Sequence, residues 1–137
     1  MFAALFPSIA LLAVAPVCPT AAADIAVTEI RLKVVRQRLS DSPDHYIVTG
    51  VVTNTGGLAQ TPGIGQSIAL VRDGRVLATQ AVPALGAGVA YTVAFAVDRP
   101  RAERGAPFPA TLRYHLERGD RLRNDCSGTN NTLSQTL

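Results

Sequence analysis

Two stretches of strict alternation constrain this chain more than any other feature. In "GVAYTVAFAV", Val89, Tyr91, Val93, Phe95 and Val97 alternate with Ala90, Thr92, Ala94 and Ala96. In "FPATLRYHLE", Phe108, Ala110, Leu112, Tyr114 and Leu116 alternate with Thr111, Arg113, His115 and Glu117. Successive side chains of a strand point to opposite faces, so a period of two sets an apolar row against a core. Shorter runs agree. "HYIVTGVVTN" places Tyr46, Val48 and Val52 on one face, and "SIALV" places Ile68 and Leu70. "DIAVTEIRLKVV" starts in phase at Ile25 and Val27, then slips to Ile30, Leu32 and Val34, which predicts a bulge or sheet switch near Thr28–Glu29. No stretch holds the i, i+3, i+4, i+7 pattern of an amphipathic helix over three turns.

Turn chemistry separates these runs. "SDSPD", "NTGGLAQTPGIG", "PALGAG" and "DRPRAERGAP" are rich in Gly, Pro and polar residues. Asp73-Gly74 sits between "SIALV" and "VLATQAV", where a two-residue hairpin needs positive φ at both central positions. The pattern predicts an all-β chain: an immunoglobulin-like antiparallel β-sandwich of about seven strands. Tyr46, Val48, Val52, Ile68, Leu70, Val93, Phe95, Leu112, Tyr114 and Leu116 are the expected core.

The first residues belong to a different class. "MFAALFPSIALLAVAPVCPTAAA" carries no charged side chain and ends in Ala21-Ala22-Ala23, a small-x-small boundary. Residues 1–23 read as a cleaved secretory signal peptide, and residues 24–137 as the domain. The apolar run is interrupted by Pro7, Pro16 and Pro19, which argues against a membrane span and against stable membrane insertion after cleavage. Cys18 raises a lipid-anchor route, which Ala15 and Val17 at its recognition positions fit poorly. Export implies a periplasmic or secreted protein in an oxidising compartment.

With the leader removed, Cys126 is left as an odd thiol. Its polar neighbourhood, "NDCSGTNNT", predicts exposure and a disulfide-linked homodimer. The competing reading is an inert cysteine tucked under the turn.

Lys and Arg number 13 against 10 Asp and Glu, for a formal charge of +3. The excess is mild and scattered, and no aromatic residues interleave it. That argues against a nucleic-acid partner.

In order along the chain stand Val52/Asn54/Gly56, Leu70/Asp73/Gly74, Leu85/Gly88, Thr92/Val93/Phe95 and Asp125/Asn130/Asn131. This ordered set resembles CARDB, the cell-adhesion-related domain found in bacteria. The resemblance covers nearly all of residues 24–137. It implies an immunoglobulin-like sandwich in exported bacterial proteins, with binding or structural roles and no catalytic residues to carry over. Two departures stand out: family members usually occur in strings or attached to larger proteins, and Asn124 falls near where Glu is common.

Chemistry finds little purchase in the rest. A calcium loop spaces several carboxylates at alternate positions and closes with Glu, whereas "DCSGTNN" offers Asp125 alone. Zinc would have to gather His45, His115 and Cys126 from unrelated positions. No Gly-x-Ser-x-Gly elbow is present, and "GIGQS" lacks the lysine of a phosphate loop. Arg118-Gly119-Asp120 stands where a strand should turn back. No catalytic, cofactor or metal residues are therefore assigned. The expected function is a non-enzymatic binding or structural domain of the bacterial envelope, recognising a protein or glycan partner. Its candidate surfaces are the long loop with apolar Leu58 and Ile64, and the first strand with Arg31, Lys33, Arg36 and Arg38. The alternative is a small periplasmic enzyme or enzyme accessory subunit built on His115 and nearby acids.

Overall fold

In the computed structural model of the protein, the described residues are 22–36 and 43–137, the side chains of 34–36 excepted. Seven strands run through them: β1 Ile25–Arg36, β2 Asp44–Asn54, β3 Gly65–Arg72, β4 Arg75–Ala81, β5 Ala90–Arg99, β6 Pro109–Arg118 and β7 Thr132–Thr136. A 3-10 turn lies at Arg101–Glu103, and a one-turn helix, α1, at Arg121–Asn124. One sheet has the order β1-β2-β5 and the other β4-β3-β6-β7, with every neighbouring pair antiparallel. This is the all-β sandwich that the alternation predicts.

The phase slip in the first strand is a bulge. Val27 pairs with Val52 and Glu29 with Val51, so Thr28 is the extra residue. Its hydroxyl donates to the Val51 carbonyl at 3.3 Å. Ile25 and Val27 before it, and Ile30 after it, all face the core. The β3–β4 hairpin turns on Asp73 (φ 52°) and Gly74 (φ 73°), the left-handed pair that matches the twist of the flanking strands.

The core joins Val48, Val52, Val93 and Phe95 of one sheet to Ile68, Leu70, Leu112 and Tyr114 of the other. Tyr46 is buried with them. Two assignments change. Leu116 packs against the core only partly buried, near the end of β6. Val89 precedes β5 and is exposed: the chain turns at Gly86–Val89, and the Val89 carbonyl accepts from Asn54 N–H at 3.0 Å. Val82 and Leu85, which lie in a connection, enter the core in its place.

One pole of the sandwich is closed by charge on aromatic faces. Arg99, 3% exposed, lies 5.2 Å from the Tyr46 ring centroid and 5.1 Å from that of Phe108. Arg72 stacks on Phe108 at 4.5 Å. Arg104 grips the buried Asp44 carboxylate through two bonds of 2.9 and 2.6 Å, and this raises its pKa. Such pairing keeps buried charges tolerable.

Candidate binding surface

The opposite pole is built on buried amides. Asn54 and Gln66 continue the inward phase of β2 and β3, and both are buried. Asn54 Oδ1 accepts from Asp24 N (3.1 Å) and Gly56 N (3.0 Å), and its Nδ2 donates to the carbonyls of Leu58 and Leu85. Gln60 and Gln66 exchange amide bonds, and Gln60 also serves Leu85 N and the Asn124 carbonyl. Tyr114 donates its hydroxyl to Gln66. Burial, then the charge of Asp125, pushes that phenol's pKa up. The network ties the 55–65 loop, the 82–86 connection and the turn after β6 to one another.

That turn contains "NDCSGTNNT". Asp120 caps α1 by accepting from Leu122 N at 3.1 Å. Asp125 is buried, and its carboxylate accepts from Ile25 N (3.2 Å) and from Asn131 Nδ2 (2.6 Å). Burial raises its pKa; the two bonds act against that, and the nearby Asp24 charge adds to it. Asp24 in turn accepts from Ser127 N (3.0 Å) and Asn130 Nδ2 (2.9 Å). The expected hydrogen-bonded turn is present, and it leads into β7. The Oδ1 atoms of Asn130 and Asn131 are buried with no hydrogen-bond partner.

Cys126 differs from expectation. It is 7% exposed and disulfide-bonded, so the exposed thiol read from its polar neighbours is corrected. The reason lies in the chain start. Ala22 and Ala23 are buried, Ala23 N donates to the Arg123 carbonyl at 2.9 Å, and Cys126 N donates to the Ala23 carbonyl at 3.2 Å. This N-terminal arm, residues 22–23 of the described chain, is bonded alongside the cysteine. Cys18, the other cysteine of the sequence, lies outside the described residues, as does the segment read as a leader through residue 21.

The other candidate residues are scattered. Leu58 and Ile64 are half-buried rather than protruding tips, and Ile64 lies against Gly119. Arg31 and Lys33 are exposed on β1, a sheet edge, with Arg31 paired to Glu29. Arg36 ends β1, but its side chain lies outside the described residues, as does Arg38 altogether. His115 is exposed on the outer face of β6. It shares with Asp125, Arg121 and Asn131 a hollow of about 330 Å³. Both Asp125 oxygens already accept a donor, one from Ile25 N of β1 and one from Asn131 Nδ2 of the turn.

Sequence reasoning missed Leu122. It is 71% exposed on α1, between Arg121 and Arg123. The guanidinium of Arg123 donates to the Ala59 carbonyl at 2.7 Å, and that of Arg118 to the Gly63 carbonyl at 3.1 Å. These bonds brace the long loop beside it. A one-turn helix leaves no periodicity to detect; the only local signal is the capping Asp120.

Among the described residues no helix is long and apolar enough to cross a membrane. No family model and no curated protein matches the sequence. Solved structures do. The CARDB domain of a Pyrococcus furiosus protein, in complex with di-metal ions, aligns at a TM-score of 0.56 and 12% identity, over 85% of this chain and 93% of that one. A domain from a Methanosarcina acetivorans protein named for the cell surface aligns at 0.54 and 19%, over 85% and 90%. The chain has a CARDB-like fold.

Proposed function

We propose that the chain is an exported, non-enzymatic binding or structural domain of the bacterial envelope. It recognises a protein or glycan partner through the loops of its amide-built pole. The observation that carries this is the bracing of the 55–65 loop. Asn124, Arg118 and Arg123 bond its backbone, and its own Gln60 reaches the carbonyl of Asn124, in the helix that carries the exposed Leu122. A loop fixed before contact loses little conformational entropy on binding, and Leu122 offers exposed apolar area between two arginines, a residue type enriched where binding energy concentrates. CARDB-like neighbours, one of them from a protein named for the cell surface, fit this reading. The β1 edge, with Arg31 and Lys33, is the second surface available to a partner.

The test is immobilised protein against envelope extract and against a glycan array. Leu122→Glu should abolish capture of the partner, while the paired change Arg31→Glu and Lys33→Glu should leave it. The reverse pattern would move the site to the strand edge. Turnover of a substrate that His115→Ala abolishes would replace the reading with an enzyme.

A further inference from the structure

The residues taken as the end of a leader are part of the folded domain. Ala22 is 3% exposed and Ala23 fully buried. Ala23 exchanges backbone bonds with the α1 turn at Arg123 and Cys126. Gly56 is shaped around this arm: a Cβ there would lie 2.4 Å from the Ala22 carbonyl oxygen and 2.7 Å from Ala23 Cα. Real Cβ contacts do not come so close, so only glycine lets the arm pass. Cleavage after Ala23 would remove the arm and orphan the N–H of Cys126 and the carbonyl of Arg123.

Cys126 is disulfide-bonded, and the sequence supplies one other cysteine, Cys18. Cys18 stands five residues before Ala23, whose carbonyl already receives the Cys126 N–H. Five residues reach up to about 16 Å when extended. A disulfide needs its Cα atoms within roughly 4.4–6.8 Å. The arm is therefore long enough to fold back onto Cys126. We infer that Cys18 is the partner of Cys126 within one chain, and that the exported domain retains residues from Cys18 onward. Any leader cleavage falls before Cys18. The two thiols lose two protons and two electrons to an external disulfide oxidant, which leaves as its dithiol. The bond staples the N-terminal arm to the turn before β7. It is independent of the partner-binding reading.

The experiment is export of the full chain to an oxidising compartment, followed by intact mass and a non-reducing peptide map. The expected product is a monomer containing Cys18, with a Cys18–Cys126 crosslinked peptide and no thiol that alkylates in denaturant before reduction. Cys18→Ser and Cys126→Ser should each lower Tm by roughly 10 °C, and the double change by no more than either. A chain starting at Asp24, a lipid on Cys18, a Cys126-linked dimer or two free thiols would each overturn the inference.

Discussion

Gln60 and Gln66 face each other as a reciprocal pair, each side-chain amide donating to the other's oxygen at 2.8 Å inside the sandwich. Neither could be replaced by a hydrocarbon without stranding others. Gln60 Oε1 also receives Leu85 N–H at 2.9 Å, and its Nε2 reaches the Asn124 carbonyl at 3.1 Å. Gln66 receives the Tyr114 hydroxyl and donates to the Pro83 carbonyl at 2.8 Å.

Gln60→Ala should therefore cost about 2–4 kcal/mol, because the loss of one side chain leaves several buried groups unpaired. Gln66→Ala should cost a similar amount. Together the two should cost less than their sum, since each single deletion strands the other glutamine's amide and the double change does not. Urea unfolding of the four proteins in the double-mutant cycle measures the coupling. Strict additivity would mean that the pair does not act as one unit.

The same pair marks where the sequence stops being legible. Phase alone placed Phe95, Leu112 and Tyr114 in the core, because period two is written into their neighbours. Gln66 lies in that phase two residues before Ile68, and Asn54 two after Val52. Both were available as inward-pointing polar residues, yet phase does not say what they bond to. Their partners come from residues distant along the chain, such as Leu85 and Tyr114, and only the folded chain brings these together. Cys126 failed for a related reason. Its neighbours are polar because they bond one another inward, so local polarity misreported exposure. Leu122 left no periodic signal in a helix of one turn.

Phe95 tests the core register directly. It is buried, and its β5 residue pairs with Val48. Phe95→Ala should cost about 3–5 kcal/mol, the usual penalty for lost apolar burial plus the residual cavity. An unchanged denaturation midpoint would place Phe95 on the outer face and reverse the assignment of every neighbour in β5.

Calcium and chelators should leave Tm unchanged. The four carboxylate oxygens of Asp24 and Asp125 each accept a donor from the protein. A cation would have to share oxygens that the fold already uses to hold its own donors. The unpartnered Oδ1 atoms of Asn130 and Asn131 make the test a sharp one, since they are the oxygens a cation would recruit. Differential scanning fluorimetry with excess calcium and with chelator settles it. A calcium-dependent rise of several degrees would show preferential binding to the native state.

Asp125 should make the protein more stable in mild acid than its carboxylate count suggests. Burial raises its pKa above the ordinary value of 3.8. The native state therefore holds a proton that the unfolded chain has already released over the interval between the two values. Stability from this group is complete below the ordinary carboxylate range and is lost as pH rises through the folded value. Asp125→Asn carries no charge at any pH and should not show that loss. The substituted amide can be accommodated: Asn131 now points Nδ2 at Asp125, and turning its amide over would present the unpartnered Oδ1 instead. Urea unfolding of both proteins across mild acid to neutral pH gives the difference curve. It should move in favour of Asp125→Asn as pH rises. The substitution should also let Tyr114 ionise at lower pH than in the parent, since the Asp125 charge is one of the causes holding that phenol's pKa up. A difference curve that moves toward the parent with rising pH would mean that the hydrogen bonds from Ile25 and Asn131 outweigh burial, and that Asp125 is held as a stabilised carboxylate.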